Sequence, residues 1–322
     1  MIKPLTSLRF FAALMVLAHH YFGFEAGYSG VTFFYVLSGF ILTVNYGHIS
    51  TSTERRDFWW KRFARIYPTH LVTLCLTVPV AAGTLPMFAA QLLLVQSWVP
   101  SWSYWFAFNA PSWSISNEAF FYACFPLLLT CLRPRPDLGI FLVGLAVVLF
   151  AICWTLAFPQ QTFNSGATHF LFYLAPPLRM FEFALGMALA LHAPRRRLGW
   201  KHEIAAILLL GAVTFIPAPP AFRASLSFVP VAVGLVYVFS RSDGPLARTL
   251  SNPVLVLLGN ASFALYMLHY PVMLYFGKGL AQALFVIALS VITFLYFERP
   301  MQRWLRGYGP RLVAAPSRAT LW

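Results

Sequence analysis

The stretch LTSLRFFAALMVLAHHYFGF, residues 5–24, predicts a membrane helix that carries charge. It is apolar enough to cross hydrocarbon, but Arg9 and His20 interrupt the run. Eleven residues at 3.6 per turn are close to three turns, so both side chains project from one helix face, about 17 Å apart along the axis. An ionisable group in hydrocarbon costs at least about 2.5 to 3.5 kcal/mol, so this face should border the protein interior or a wet cavity. The stretch therefore predicts a functional site within the bilayer.

The composition indicates that the whole chain, and not only one anchoring segment, lies in lipid. Hydrophobic residues make up 59% of the 322 residues, charged residues make up 10%, and the mean hydropathy is +0.70. The first segment should stay in the protein, because a cleavable signal peptide would not carry Arg9 and two histidines. We predict an all-α polytopic membrane protein of about ten transmembrane helices, at 5–22, 30–46, 66–83, 117–132, 138–158, 170–192, 203–217, 225–240, 254–273 and 281–297.

The basic residues predict the orientation of these helices. With the N-terminus inside, nineteen of the 23 Lys and Arg residues fall on one side, whereas only Arg223 and Lys278 fall on the other. Because cytoplasmic loops carry such an excess, both termini are predicted to be cytoplasmic, and the net charge of +14 needs no nucleic-acid partner. The nineteen are Lys3, Arg55, Arg56, Lys61, Arg62, Arg65, Arg133, Arg135, Arg195, Arg196, Arg197, Lys201, Arg241, Arg248, Arg299, Arg303, Arg306, Arg311 and Arg318.

Residues 85–116 are apolar and aromatic, yet they contain no Lys or Arg. A full span over 85–98 would invert every later loop and move the Arg195–Arg197 cluster outside. We therefore predict an outer-side interfacial or re-entrant segment near 85–116. One transmembrane domain, residues 1–306, is expected, followed by a short basic cytoplasmic tail, residues 307–322.

Three ionisable residues are predicted near the outer side. A neutral His20 would suit a general base, although an interfacial histidine satisfied by water is the simpler reading. Glu118 opens the fourth span from outside at about the depth of His20, where it could orient the imidazole or merely complement the helix dipole. His269 could be a second base, a substrate contact or a hydrogen-bonded core histidine.

Arg62 and Arg65 form the corresponding pair on the cytoplasmic side. They lie three residues apart at the start of the third span, hence on one helix face. Such residues often serve only topology and contact with anionic lipid. Arginine nevertheless favours bidentate phosphate contacts, and a pair on one face suits a diphosphate. Arg179 and Glu182, also three apart, predict an internal ion pair or partners for Arg9.

Several familiar signatures are missing from the chain. We find no GxxxxGK[ST], GxGxxG, GxSxG or HExxH motif, which leaves ATP-driven transport, dinucleotide chemistry, common serine hydrolases and zincins without support. The four cysteines lie in apolar runs with no CxxC pair, so we expect no disulfide, metal site or redox role: Cys75, Cys124, Cys131 and Cys153.

Seven stretches of the chain, taken in order, resemble the bacterial acyltransferase-3 family, from about residue 4 to residue 306. The family's Arg, ten residues, His motif falls on Arg9 and His20, its RxxR motif on Arg62 and Arg65, and its outer-face carboxylate on Glu118. The stretches are LRFFAALMVLAHH, GVTFFYVLSGFIL, FWWKRFARIYP, NAPSWSISNEAFFYACFPLL, RMFEFALGMALAL, LGNASFALYMLHYPV and FERP.

The resemblance implies transfer of an acyl group, usually acetyl, from cytoplasmic acyl-CoA to a hydroxyl of an envelope or secreted glycan, in the bacterial inner membrane. It implies no metal. One departure is Thr32, where the family commonly has Asp, and a second is the missing hydrolase-like C-terminal domain of longer members. Further partners that it admits are membrane lipids, a second copy of the chain and polysaccharide-export machinery.

The residues then suggest one mechanism that uses both sides of the membrane. Arg62 and Arg65 would bind the CoA phosphates, and the pantetheine arm would pass Arg9 to reach His20. Glu118 would orient His20. Further contacts to the substrate or its oxyanion are expected from Trp113, Ser114, Ser116 and His269.

Two rival functions share many of these features. A transporter would also carry ionisable residues along a helix face, but it should show corresponding broken helices in two halves, and we find no internal repeat. An acyltransferase acting on a small molecule, a lipid or a peptidoglycan sugar would share every motif, and only its acceptor would differ.

Overall fold

The computed structural model describes residues 2–134, 136–162, 166–192, 196–215 and 217–309. Within these ranges the chain forms helices and turns, with no β-strand and one isolated bridge between Leu198 and Ser242. The predicted all-α class is therefore confirmed for this part of the chain. Four residues of the basic set and most of the predicted tail lie outside the described residues: Arg135, Arg195, Arg311, Arg318 and 310–322.

The α-helices are numbered here in chain order. Helices α1 to α9 cover Lys3–Phe22, Gly30–Tyr46, Ser52–Thr77, Leu85–Leu92, Trp102–Trp105, Trp113–Leu132, Pro136–Ala157, Gly166–His169 and Pro176–His192. Helices α10 to α17 cover Trp200–Phe215, Pro220–Ala224, Val229–Phe239, Pro245–Leu250, Pro253–Asn260, Ser262–Phe276, Leu280–Thr293 and Arg299–Arg306. Short 3₁₀ or π turns join several of them, at Glu25–Ser29, Gln96–Trp98, Ala110–Ser112, Phe170–Leu174, Leu226–Phe228 and Phe294–Glu298.

Five helical stretches in the described ranges are long and apolar enough to cross a membrane, and a sixth results if α14 and α15, bent by 57°, form one broken span. The chain is therefore a helical protein with several membrane-length helices. Helix also covers most of the other four predicted spans, but α10 and α12 have fewer than 18 residues, and α1 and α3 carry polar and charged side chains that leave no 18 residues of either as apolar as the five stretches. The five stretches are Glu25–Tyr46, Ala110–Leu132, Ile140–Ala157, Gly166–His192 and Leu280–Arg306.

Two helix ends fix where the charged residues of α1 and α3 lie. Helix α1 ends at Gly23, whose φ of 73° is left-handed and costs glycine little, so His20 lies in the last turn. Helix α3 begins with a capping box in which Thr51 and Glu54 each accept a backbone N–H of the other, at 3.2 and 2.9 Å. Arg62 then lies on the third turn of α3.

Helices α2 and α9 approach each other more closely than side chains normally permit. A Cβ added at Gly39 would lie 1.9 Å from the carbonyl oxygen of Phe183, and one at Gly186 would lie 1.9 Å from that of Val36. Glycine at both positions thus allows the two backbones to touch. This contact packs α9 against one face of α2. Other residues of α2 line the cavity described below.

The segment between α3 and α6 is broken into short helices, with buried amide side chains among them. Helices α4 and α5, of eight and four residues, are far shorter than the roughly 20 residues needed to cross hydrocarbon. Gln91 donates to Ala107 O at 3.0 Å, Gln96 to Ser112 O at 3.0 Å, and Asn109 to Met267 O at 3.1 Å. These three side chains are fully buried, so the segment folds into the protein and satisfies its irregular backbone there.

Replacing Gly39 by Ala should destabilise the fold. The new methyl group must displace the backbone of α9, and such overpacking typically costs about 1 to 3 kcal/mol. The expected result is a lower melting temperature of the detergent-purified protein. Gly211→Ala in α10 is the matched control, because a Cβ there meets nothing within 4 Å. Equal melting temperatures for the two variants would contradict the close α2 and α9 contact.

Candidate active site

Five helices enclose a cavity of about 140 Å³, here called the arginine cavity, that brings together most of the predicted charged residues. Helix α1 contributes Arg9, α3 contributes Arg62 and Arg65, and α6 contributes Ser114 and Glu118. Helices α2 and α15 complete the wall. The remaining lining residues are Val31, Phe34, Tyr35, Leu37, Ser38, Ile41, Leu42, Ile66, Ile115, Tyr122, Ser262, Phe263 and Tyr266.

Arg9 lies among both signs of charge. Its guanidinium interacts electrostatically with the cation of Arg65 and with the carboxylates of Glu118 and Glu298. These groups come from α3, α6 and the turn before α17, which lie far apart in the chain. The face of α1 that carries Arg9 therefore borders the protein interior, which is the arrangement expected for an arginine within a membrane helix.

Glu118 faces the arginine cavity and not His20. Its carboxylate accepts a hydrogen bond from the Tyr122 hydroxyl at 2.9 Å, and both side chains line the arginine cavity. Among the described residues no hydrogen bond joins it to His20. The first turn of α6 is buried against the segment before it, so this end of the helix lies among protein side chains.

Arg62 occupies an aromatic environment and has no carboxylate partner. Its guanidinium lies 5.3 to 6.0 Å from the ring centres of Tyr46, Phe58 and Tyr122, and it donates to the Tyr46 hydroxyl at 3.4 Å. No described carboxylate lies within 4.0 Å of it. The cation is thus stabilised by ring faces and keeps donors for an anionic ligand.

Arg65 differs, because it has a carboxylate nearby. Its Nη1 lies 3.6 Å from Oε2 of the buried Glu298, whose other oxygen accepts a hydrogen bond from Thr69 at 3.2 Å. The guanidinium also packs 5.5 Å from the Phe263 ring centre. At 3.6 Å the pair is longer than a good charge-assisted hydrogen bond, so Arg65 is held in place while its remaining donors stay available.

His20 pairs with His269 instead of with a carboxylate. His20 Nδ1 lies 3.0 Å from Val16 O and 3.2 Å from His269 Nε2. His269 is almost fully buried, and its ring also interacts with the backbone of Leu265 and Tyr266. One arrangement satisfies all of these contacts: the Nδ1–H of His20 donates to Val16 O and His269 Nε2, which leaves His20 Nε2 with its lone pair.

The other predicted substrate contacts are used mainly within the protein. Ser116 donates to Leu94 O at 2.7 Å, and the ring of the buried Trp113 packs 4.7 Å from that of Tyr173; neither residue lines the arginine cavity. Ser114 does line it. Its oxygen lies 2.7 Å from the Tyr266 hydroxyl, and both groups reach Pro111 O at 3.1 Å. Since both hydroxyl protons are used in these contacts, Ser114 presents lone pairs to the cavity, and it would have to rotate to bind an oxyanion.

Thr32 takes part in a second, separate charged group. Arg179 pairs with Glu182 at 2.7 Å and donates to Thr32 Oγ1 at 3.3 Å, and all three side chains are buried. Tyr35 packs over the same guanidinium at 5.0 Å. Because Glu182 already neutralises Arg179, this group needs no carboxylate at position 32. Arg179 and Glu182 do not line the arginine cavity that contains Arg9. The cavity lining therefore does not support their alternative role as partners of Arg9.

Sequence reasoning missed two tyrosines and the histidine pairing. Tyr122 lies four residues after Glu118 and Tyr266 three residues before His269, spacings that put each pair on one helix face and could have been recognised. The contact between His20 and His269 joins α1 to α15 and has no local signal. No group of three or more His, Cys, Asp or Glu in the described ranges is arranged to hold a metal ion, and the four cysteines are free thiols.

The arrangement separates two kinds of chemistry along α1. At one level, three arginines and one glutamate line a cavity that can accept an anion. About 17 Å further along the helix, three turns away, an imidazole with a free nitrogen lies at the last turn of α1 and outside the cavity wall. An anionic donor and a proton-bearing acceptor could therefore be held on different sides of one helix bundle.

Comparison with known proteins gives concordant matches. Residues 3–297 match a family model described as an acyltransferase domain. Acyltransferase MdmB of Streptomyces mycarofaciens is 35% identical over 314 residues, which cover 85% of this chain and 79% of the relative. The putative peptidoglycan O-acetyltransferase YrhL of Bacillus subtilis is 27% identical, and the peptidoglycan O-acetyltransferase OatA of Listeria monocytogenes is 23% identical.

These relatives differ in length. The matches cover 84% and 94% of this chain but only 48% and 56% of YrhL and OatA, so the chain spans about half the length of those two proteins. No solved structure matches the chain. The family model covers nearly the whole sequence, and the chain therefore belongs to the acyltransferase-3 family and is an acyltransferase.

Proposed function

We propose that this protein is a membrane O-acyltransferase that transfers acetyl from cytoplasmic acetyl-CoA to a sugar hydroxyl of a cell-surface or secreted polysaccharide. The observation that carries the proposal is the pair of groups on one face of α1: Arg9 in a cationic cavity, and His20 with a free imidazole nitrogen three turns away. The names of the putative peptidoglycan O-acetyltransferase YrhL and the peptidoglycan O-acetyltransferase OatA support a glycan acceptor.

The donor binds at the arginine cavity. Arg62 and Arg65 contact the CoA phosphates, for which unpaired or loosely paired guanidinium groups are well suited. Arg9 lies deeper, where it guides the pantetheine arm past Glu118. Because Glu118 accepts from Tyr122 and lies in range of Arg9, its role in this proposal is to position Arg9 and not to contact His20.

His20 is the general base at the acceptor side. Its Nε2 takes the proton of the sugar hydroxyl as the hydroxyl oxygen attacks the thioester carbonyl. The new C–O bond forms, the C–S bond breaks, and CoA leaves as a thiolate that receives the proton from the imidazolium. Val16 O fixes the tautomer by accepting from Nδ1–H, and His269 orients the ring by accepting from the same N–H, the positioning role first expected of Glu118.

The acceptor could also be a small molecule. Of the three relatives named above, acyltransferase MdmB has the highest sequence identity to this chain, and its name specifies no acceptor. The two acceptor classes are distinguished by mass spectrometry of envelope glycans and of small-molecule extracts from cells with and without the protein. An ester mass increment on a glycan supports the proposal, whereas an increment confined to a small molecule overturns its acceptor.

We further propose ten spans in the bacterial inner membrane with both termini cytoplasmic. The asymmetry of Lys and Arg supports this topology. In a variant without native cysteines, Arg223→Cys and Lys278→Cys should react with an impermeant maleimide added to intact spheroplasts, while Arg248→Cys should react only after lysis. All three positions are exposed, so accessibility to the reagent tests sidedness. Labelling of Arg248→Cys in intact spheroplasts would contradict the topology.

His20→Ala should lower glycan acetylation by about 10² to 10⁴-fold, the usual contribution of a general base. Binding of acetyl-CoA to the purified variant should persist, because His20 is not part of the arginine cavity. His19→Ala is the matched control: this neighbouring side chain bonds only Phe24 O, at 3.0 Å, and does not reach His269, so activity should stay within a few-fold of wild type. Wild-type acetylation by His20→Ala would refute the assignment.

His269→Leu should lower kcat about tenfold and leave the KM for acetyl-CoA unchanged, because the His20 ring loses the side-chain contact that orients it, while Val16 O still fixes its tautomer. His269→Gln should restore most of the activity, since its amide oxygen can accept the same proton. The measurement is steady-state kinetics with a soluble acceptor. A raised acceptor KM at constant kcat would instead make His269 a substrate contact.

A further inference from the structure

Helices α3 and α17 pack against each other in opposite directions, with a register that three contacts define. Thr69 donates to Glu298 at 3.2 Å, and Arg65 lies 3.6 Å from the same carboxylate. At the other end, the Trp60 indole donates to Leu305 O at 2.7 Å. Residue numbers therefore fall along α3 as they rise along α17, and the end of α17 lies beside residues 58–62.

Three polar residues share the face of α17 that meets α3. Glu298, Gln302 and Arg306 are spaced by four, so they form one stripe on the helix. Glu298 contacts Arg65, and the register places Gln302 and Arg306 on either side of the level of Arg62. The Gln302 amide nitrogen and the Arg62 Nε are both buried without a hydrogen-bond partner. The two helices thus present unused donors to one another at the level of Arg62.

The charges on this stripe do not balance. Arg306 interacts electrostatically with Arg62 and Arg65, both of the same sign, and with the carboxylate of Asp57. Asp57 is already bonded to Lys61 at 2.6 Å, and no described carboxylate lies within 4.0 Å of Arg62 or Arg306. Guanidinium groups collected without counter-charges repel one another, and an anion bound between them removes that cost. Planar guanidinium forks match phosphate in particular.

The three arginines also differ in depth. Arg62 and Arg65 line the arginine cavity, whereas Arg306 lies outside the wall and is exposed. A CoA thioester that enters with its acyl group first places the diphosphate next and the ribose 3′-phosphate last. The outermost arginine would therefore meet the last phosphate of the donor.

We propose that Arg306, with the Gln302 amide beside it, binds the ribose 3′-phosphate of the CoA donor, while Arg62 and Arg65 bind the diphosphate. This inference rests on the proposed acyl-CoA-dependent function and names the part of the donor that each arginine recognises. It gives α17 a binding role at the mouth of the cavity, beyond its packing against α3.

The test compares acetyl-CoA with acetyl-dephospho-CoA, which lacks only the 3′-phosphate. The full chain in phosphatidylcholine vesicles should show a KM about tenfold higher for the dephospho donor, as expected for loss of one charge-assisted phosphate contact. Arg306→Ala should show the raised KM for both donors and no longer distinguish them. Arg303→Ala, which removes an exposed arginine one turn earlier on α17, should behave as wild type.

The outcomes separate this inference from the proposed function. If the wild-type protein transfers acetyl from both donors with equal KM, or if Arg306→Ala still distinguishes them, the 3′-phosphate site is wrong while the function stands. If the wild-type protein uses neither donor, the function fails as well. The alternative phosphate that Arg306 could bind is that of a lipid headgroup. It would be identified if Arg306→Ala abolished a stabilisation by phosphatidylglycerol while leaving the discrimination between donors intact, and that result would overturn the inference.

Discussion

The cost of placing a guanidinium in hydrocarbon is the constraint on which the arrangement of the central helices depends. Helix α1 can cross a bilayer only if its neighbours shelter Arg9, since exposure to lipid would cost at least about 2.5 to 3.5 kcal/mol. Helices α2, α3, α6 and α15 provide the shelter by enclosing the arginine cavity, and Glu118 and Glu298 supply opposite charge within range. The same residues that make α1 compatible with a membrane thus form the candidate donor site. Packing and binding cannot be varied independently here, because removing either carboxylate would leave an excess of buried positive charge as well as altering the site.

The irregular segment before α6 shows how a second constraint shapes the site. Backbone groups outside regular helices must find partners inside the protein at membrane depth, and the buried side-chain amides of Gln91, Gln96 and Asn109 supply several of them. Burying this segment moves the first turn of α6 inward. Glu118 consequently faces Arg9 and Tyr122, and within the described residues no hydrogen bond joins it to His20. The position of a carboxylate that belongs to the cavity therefore depends in part on hydrogen bonds donated by Gln91 and Gln96, which lie more than twenty residues before it in the chain.

The helical class and the helix-forming segments could be predicted from the sequence, because long apolar runs leave few alternatives in lipid. Arg9, Arg62, Arg65 and Glu118 could be selected because ionisable residues are expensive in such runs. What could not be predicted was which of them meet. Contact depends on the depth and rotation of each helix, and neither follows from apolar periodicity. Glu118 was expected beside His20 because α6 was assumed to start at the outer surface, and the pairing of His20 with His269 required knowing that α1 and α15 are neighbours. The stripe of Glu298, Gln302 and Arg306 was visible as a spacing of four, but only the register with α3 shows what it faces.

A histidine partner has a physical consequence for a base at the end of a buried helix. A carboxylate beside His20 would add a charge to a poorly solvated place and would favour the imidazolium form, which cannot accept a proton. His269 and Val16 O both accept the Nδ1–H of His20 without adding charge, so the tautomer and the ring orientation are fixed while the base stays neutral. The disadvantage is that a neutral partner does little to stabilise the imidazolium once it forms. Acyl transfer from a thioester tolerates this, because a thiolate is a good leaving group that departs without prior protonation and can take the proton back soon after. An oxygen ester donor, whose alkoxide leaves far less readily, would need the stabilised imidazolium as an acid. If His20 is the base, the pairing seen here therefore suits a thioester donor better than an oxygen ester.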